Sequence, residues 1–207
     1  MRCGPAALAV KRALDVALSL IALVVLIVPF AVIALAVKAE SRGPALFRQE
    51  RIGRGERPFR VWKFRTMVID AESHPLGART PQGDPRITHV GRWLRRLGID
   101  ELPQLLNVLH GAMSLVGPRP TLAYQVAKYD RRQKRRLLVK PGITGWALIN
   151  GRNRLTWPEK IELDVWYADH WSIPLDLYIL LRTPIVVLSG QGLFIEESDE
   201  ILGNGEV

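Results

Sequence analysis

The residues Gly98 to Leu106 (GIDELPQLL) set two carboxylates, Asp100 and Glu101, side by side two positions before a proline. Aspartate is a favoured helix N-cap and proline is tolerated in a helix's first turn, so the spacing predicts a helix opening at Asp100. The partial positive charge of that helix end favours both acids in their ionised form. In isolation such a pair does no more than cap a helix and complement its dipole. The surrounding cations open a second reading: Lys63 and Arg65 precede the pair, Arg92, Arg95 and Arg96 lie just before it, and Arg119 follows in Gly117-Pro118-Arg119-Pro120. Two prolines restrict the backbone there and preorganise the guanidinium for bidentate binding of phosphate oxygens. Carboxylates among arginines point to phosphate chemistry, in which a metal held by a carboxylate neutralises a diphosphate and an ionised aspartate can attack phosphorus.

Other mechanisms lose their support in the same sequence. His74, His89, His110 and His170 have no metal-ligand spacing, and neither a Gly-x-Ser-x-Gly elbow nor a Gly-x-x-x-x-Gly-Lys phosphate loop occurs. The single cysteine, Cys3, excludes a disulfide scaffold and a cysteine-only zinc site. With 207 residues, the chain has room for one ordinary domain. Hydrophobic residues make up 48 %, which rules out disorder, while a formal charge of +9 calls for an anionic partner, nucleic acid or a membrane surface.

The distribution of apolar residues favours the membrane. From Val16 to Val37 only Ser19 and Pro29 are not apolar, and a straight helix of that length rises about 33 Å, the thickness of the hydrocarbon layer. The run is too long for a secretory signal core and continues directly into Lys38 and Glu40. Basic residues flank both ends, Arg2, Lys11 and Arg12 before and Lys38, Arg42, Arg48 and Arg51 after, so a single pass would export one basic flank against the usual bias. A re-entrant helix avoids that conflict. Pro29 removes one helical hydrogen bond, which predicts a break at Val28 and Pro29.

The elements that must position the acids follow. Leu46–Ile52 and Phe59–Met67, separated by Gly53, Arg54, Gly55 and Glu56, read as a β-hairpin. Residues 71–86 form a polar loop, and helices are expected over Ile87–Leu97, Leu102–Leu109, Thr121–Val139, Pro158–Trp171 and Leu175–Leu188. Thr156 and Glu159 have capping-box spacing. The last helix, interrupted by Pro184 and neighboured by Trp157, Trp166, Tyr167, Trp171 and Tyr178, reads either as an interfacial helix or as an ordinary core helix. The basic run Arg131, Arg132, Lys134, Arg135 and Arg136 could meet nucleic acid, but no helix-turn-helix pattern accompanies it, and anionic lipid is the simpler partner. The expected fold is α/β and mostly helical: a membrane element over 1–40, a catalytic domain over 41–190 and an acidic tail over 191–207.

Five stretches in order, KFRTM (63–67), DPRIT (84–88), IDELPQLLNVLHGAMSLVGPRP (99–120), KPGITGW (140–146) and ELDVWY (162–167), closely resemble the bacterial sugar transferases, the monotopic phosphoglycosyl transferases that begin glycoconjugate assembly. The resemblance runs from about residue 10 to residue 190 and corresponds to the minimal form of that family. It implies transfer of a sugar 1-phosphate from a UDP-sugar to a polyprenol (undecaprenyl) phosphate at the cytoplasmic face of the bacterial inner membrane, with release of UMP. It further implies Asp100 as nucleophile and Mg2+ contact and Glu101 as its partner. Arg95 and Arg119 become phosphate-contacting arginines, with Lys63 and Arg65 as additions. In the family a serine precedes the helix-bending proline; here that position is Val28, so its hydroxyl is missing. Sugar specificity is expected in the loops 71–86 and 150–157. A noncatalytic scaffold of a polysaccharide assembly complex is the rival reading.

Overall fold

The computed structural model describes residues 4–69, 71 and 83–189; Cys3, His74, most of the 71–86 loop and the acidic tail lie outside the described residues. Among the described residues the chain is mostly helical, with two small two-stranded sheets.

Helix α1 (Pro5–Glu40) contains the whole apolar run. The expected interruption at Val28 and Pro29 is absent as a loss of helical backbone: Pro29 lies inside one assigned helix. A proline deletes a single i to i−4 hydrogen bond, and intact turns on both sides can carry that loss as a bend. Both ends of α1 are tied to the rest of the chain. Near its start, Arg12 donates to the carbonyls of Val108 and Leu109 at 2.5 and 2.7 Å, Asp15 accepts from the Ser114 hydroxyl and the Leu115 N–H at 3.0 Å each, and Lys11 pairs with Asp176. At its end, Glu40 accepts from the N–H groups of His89 and Val90, and Arg65 donates to the carbonyl of Ser41 at 2.7 Å. Between these ties Leu20, Ile21, Val24, Val25, Ile27 and Val28 are all more than half exposed. So much uncovered apolar surface marks an interaction site for something apolar.

The hairpin forms, with its second strand ending at Phe64 rather than at Met67, which makes only an isolated bridge to Ile87. Strands β1 (Leu46–Ile52) and β2 (Pro58–Phe64) pair antiparallel from Leu46 opposite Phe64 to Ile52 opposite Pro58. Gly55 takes φ 66° in the turn. Helix α2 (His89–Leu97) is capped by the Thr88 hydroxyl, which accepts from Gly91 N–H at 2.9 Å, and it ends at Gly98 in the left-handed conformation. At Gly91 any Cβ would collide with the Thr66 backbone, so the missing side chain lets α2 sit directly on the exit of β2. A 3₁₀ segment (Ile99–Gln104) then leads into α3 (Leu105–His110). Strands β3 (Ser114–Val116) and β4 (Gly142–Thr144) pair in parallel, with Gly117 and Gly142 backbone to backbone.

The single helix expected over Thr121–Val139 is instead α4 (Ala123–Val126) and a 3₁₀ segment (Gln133–Leu138). Asp130 and Gln133 exchange side-chain to backbone hydrogen bonds at 2.8 and 3.1 Å, giving the backbone an alternative to continuing the first helix. After α5 (Trp146–Ile149) comes α6 (Trp157–His170), where the capping box holds: Glu159 accepts from Thr156 N–H at 2.7 Å. Helix α7 (Ile173–Leu188) runs through Pro184 rather than stopping there. The proline deprives only the Leu180 carbonyl of its N–H donor, a single lost bond that the turns on either side carry. Leu181, Ile185 and Leu188 of α7 are exposed, whereas Tyr167 and Trp171 belong to the core with Val61, Val108, Met113 and Ile179.

Candidate active site

Asp100 is not the N-cap of a helix. Gly98, with φ 67°, caps the 3₁₀ segment; Asp100 lies inside that segment, as does Pro103. The tight segment and its left-handed entry turn both acids back toward β2. Glu101 receives three hydrogen bonds from two cations: Lys63 Nζ at 2.8 Å and the two Arg119 nitrogens at 3.1 and 2.7 Å. Burial alone would raise the Glu101 carboxyl, but Arg119 and Lys63 outweigh it and hold the acid well below the usual carboxylate range. Asp100 is 9 % exposed, and its carboxylate accepts no hydrogen bond among the described residues. Burial and the neighbouring Glu101 charge push it above the ordinary value, with Lys63, Arg95 and Arg119 pulling the other way. Adjacent carboxylates thus acquire opposite characters: one is spent on cations, and the other lies in their field without a hydrogen bond from a described donor.

The structure brings Lys63, Arg95 and Arg119 to the acids. Arg95 rests its Nε on the Thr66 hydroxyl at 2.8 Å, and burial draws its guanidinium below its usual value against the pull of Asp100. Arg65 is not among them. Its Nη2 turns to the Val37 and Ser41 carbonyls, so it fastens the end of α1. The Asp-Pro-Arg of DPRIT is a buried local pair, Arg86 on Asp84 at 2.6 Å, that reaches the Ala71 carbonyl.

Two further arginines carry no signal in the sequence that would place them at the acid pair. Arg136, 2 % exposed, donates to the Arg119 carbonyl at 3.0 Å and to the Tyr129 hydroxyl at 2.6 Å, and it pairs with Asp164 of α6. It is an internal strut of Arg119, although its neighbours in the basic run are surface residues: Arg132, Lys134 and Arg135 pair with Glu162, Glu56 and Asp169. Nothing in the run Arg131–Arg136 distinguishes the inward arginine before the chain is folded. The second is Arg152, beside the Gly98 turn.

The Arg119 side chain is 58 % exposed even with both terminal nitrogens on Glu101, so its planar fork is held by the acid at the surface of the site. Changing Arg119 to Lys keeps the charge but loses that fork. Steady-state kinetics should register a loss in kcat/KM of roughly ten-fold to a thousand-fold with an unchanged melting temperature. Wild-type kinetics would reduce Arg119 to surface charge.

A carboxylate pair divided in this way and ringed by cations is chemically suited to phosphate oxygens, and it is joined to a long exposed apolar helix. The family model for bacterial sugar transferases matches residues 6–190, and the chain belongs to that family of transferases. It is 51 % identical over 157 residues to the uncharacterized sugar transferase EpsL of Bacillus subtilis (strain 168), covering 76 % of each chain. It is 45 % identical over 188 residues to the undecaprenyl-phosphate glucose phosphotransferase of Komagataeibacter xylinus, covering 84 % of this chain and 35 % of that protein. Identity is 42 % over 181 residues to the UDP-glucose:undecaprenyl-phosphate glucose-1-phosphate transferase of Escherichia coli (strain K12), covering 84 % of this chain and 39 % of the relative. The chain therefore spans little more than a third of these two phosphotransferases.

Proposed function

We propose that this protein transfers a sugar 1-phosphate from a UDP-sugar to a polyprenol phosphate, undecaprenyl phosphate in bacteria, and releases UMP. The observation that carries this reading is the division of labour at the acid pair: Glu101 holds Lys63 and Arg119, while Asp100, buried beside them, has a carboxylate that no described donor occupies. In the first half-reaction an Asp100 oxygen bonds to the sugar-bearing phosphorus, and the bond from that phosphorus to the bridging oxygen breaks; UMP departs with the electron pair. In the second, an oxygen of the polyprenol phosphate bonds to the same phosphorus and the aspartyl oxygen leaves, giving the polyprenyl diphosphate sugar and free Asp100. Arg119, Arg95 and Lys63 neutralise charge on the transferring phosphoryl oxygens. Glu101 keeps two of those cations in place.

The residues suit a magnesium ion. Mg2+ takes hard oxygen ligands and is commonly bound by one or two carboxylates plus substrate phosphates and water, rather than by an all-protein cage. Asp100 offers one such carboxylate, and among the described residues no group of three or more ligating side chains is present. When bound, the ion supplies charge neutralisation to the donor diphosphate. Incubating the full chain with a panel of UDP-sugars, undecaprenyl phosphate and Mg2+ tests the reading. Formation of UMP and a lipid-linked product is expected with at least one donor, and no turnover with any donor would favour the scaffold.

The setting proposed for this chemistry is the cytoplasmic face of the bacterial inner membrane. Support comes from α1, which is long and apolar enough to cross a membrane yet has both ends hydrogen-bonded to one folded unit, at Val108 and Asp176 and at His89 and Arg65. A re-entrant path bent at Pro29 leaves that unit whole on one side, with the exposed row of α7 in the headgroup plane. Cysteines placed near residues 5 and 45, with Cys3 replaced, should both resist a membrane-impermeant thiol reagent in intact cells and react after lysis. Labelling near residue 5 in intact cells would establish a spanning helix instead. Pro29→Ala restores the missing hydrogen bond and should shift a measurable fraction toward that form.

A further inference from the structure

The cations expected to hold a phosphate are largely committed. Both terminal nitrogens of Arg119 and the Lys63 ammonium donate to Glu101, and Arg95 is partly occupied by Thr66. Arg152 is different. It follows Gly151 in a short 3₁₀ segment (Arg152–Arg154) and has φ 57°, one of two non-glycine residues with positive φ among the described residues. A left-handed backbone at an arginine is uncommon, and strain of this sort persists where the surrounding structure enforces it, often beside a ligand. Here the guanidinium lies at the turn that leads into the acid pair: Nη2 is 3.9 Å from the position a Cβ would occupy on Gly98, the residue that opens the Asp100 segment. Nη1 is buried with no hydrogen-bond partner; Arg65 and Arg136 also carry unpartnered buried nitrogens, but they lie against Gly43 and Asp164 rather than at the Gly98 turn. A buried charged donor left unpaired is costly, and a ligand oxygen would relieve that cost. Arg152 also sits in the field of Arg119, Glu101 and Asp100, and burial lowers its affinity for its own proton.

We infer that Arg152 is a substrate-binding residue whose free guanidinium edge takes a phosphate oxygen at the Asp100 site. The inference rests on the sugar-phosphate transfer reading and adds to it a cation from the 150–157 loop. The oxygen could belong to the donor diphosphate or to the acceptor's phosphate monoester, and the test separates them. Arg152→Gly removes the guanidinium and accommodates the left-handed backbone without strain, so its melting temperature should not fall. Arg152→Lys keeps the charge but not the fork.

The full-length protein in detergent is titrated with UDP by calorimetry, and KM is measured separately for the UDP-sugar and for undecaprenyl phosphate. A rise of ten-fold or more in the UDP Kd and donor KM for Arg152→Gly, with a smaller rise for Arg152→Lys, places the contact on the donor. An unchanged UDP Kd with a ten-fold higher acceptor KM places it on the acceptor. Unchanged Kd and both KM values in a variant set whose wild type binds UDP and turns over would overturn the inference and leave the transfer reading standing. A wild type that neither binds UDP nor turns over would overturn both.

Discussion

Replacing Asp100 with Asn should abolish turnover while leaving the protein at least as stable as the wild type. An amide is a poor nucleophile and a poor magnesium ligand, and a residual rate of a few per cent or less corresponds to at least about 2 kcal/mol of lost transition-state stabilisation. The stability half follows from linkage. Asp100 titrates above its ordinary value in the folded chain because burial and Glu101 disfavour its charge. The stability its neutral form retains is present below about pH 3.9, the unfolded carboxyl's value, and is lost as pH rises through the raised folded value. As pH rises through that raised value the wild type loses stability that the asparagine variant, with no charge to bury, keeps. Glu101 has the opposite sign. Its carboxyl is held low by Arg119 and Lys63, so it contributes stability above the ordinary glutamate value that is lost only as pH falls through its depressed one. Glu101→Gln should therefore lower the melting temperature at pH 7. Thermal melts of both variants at pH 7, paired with mass spectrometry for a phosphosugar adduct on the wild type, check the whole statement. More than a few per cent of activity in the asparagine variant, without deamidation, would sink the covalent role.

What could be read before folding was whatever depends on local chemistry. The hairpin was legible because Leu46–Ile52 and the residues after Phe59 are β-formers around a Gly-x-Gly turn, and α6 because Thr156 and Glu159 carry their cap with them. The acid pair and its cations were legible as types. Their partition was not, since which carboxylate takes Lys63 and Arg119 depends on the left-handed turn at Gly98. Strands β3 and β4 are three residues each, too short for any periodicity, and their pairing depends on two glycines meeting backbone to backbone. Arg65 and Arg136 illustrate the same limit from opposite sides. A cation expected at phosphate fastens α1, and a cation expected at lipid supports Arg119.

That support should prove essential. Arg136 and Asp164 are 2 % and 3 % exposed at the side chain, and replacing Asp164 with Leu strands a buried guanidinium, a change that typically costs about 3–5 kcal/mol. Denaturant unfolding should reveal a loss of that size, a large share of a domain's ordinary stability of about 5–15 kcal/mol. The pair itself is not a strong stabiliser: burial pushes the Asp164 carboxyl up in spite of Arg136, so the attraction does not fully offset the desolvation. Replacing both residues together, Arg136→Met with Asp164→Leu, should consequently recover most of the stability, as apolar replacement of buried ion pairs often does. Activity should not return with it. The Arg136 hydrogen bond to the Arg119 carbonyl at 3.0 Å is gone in the double variant, which leaves the backbone of the Arg119 loop to its flanking prolines and the guanidinium to Glu101 alone. A fall in kcat that persists at restored stability would mark the pair as a positioning device for Arg119. Full activity in the stable double variant would make it a packing element that happens to touch the loop.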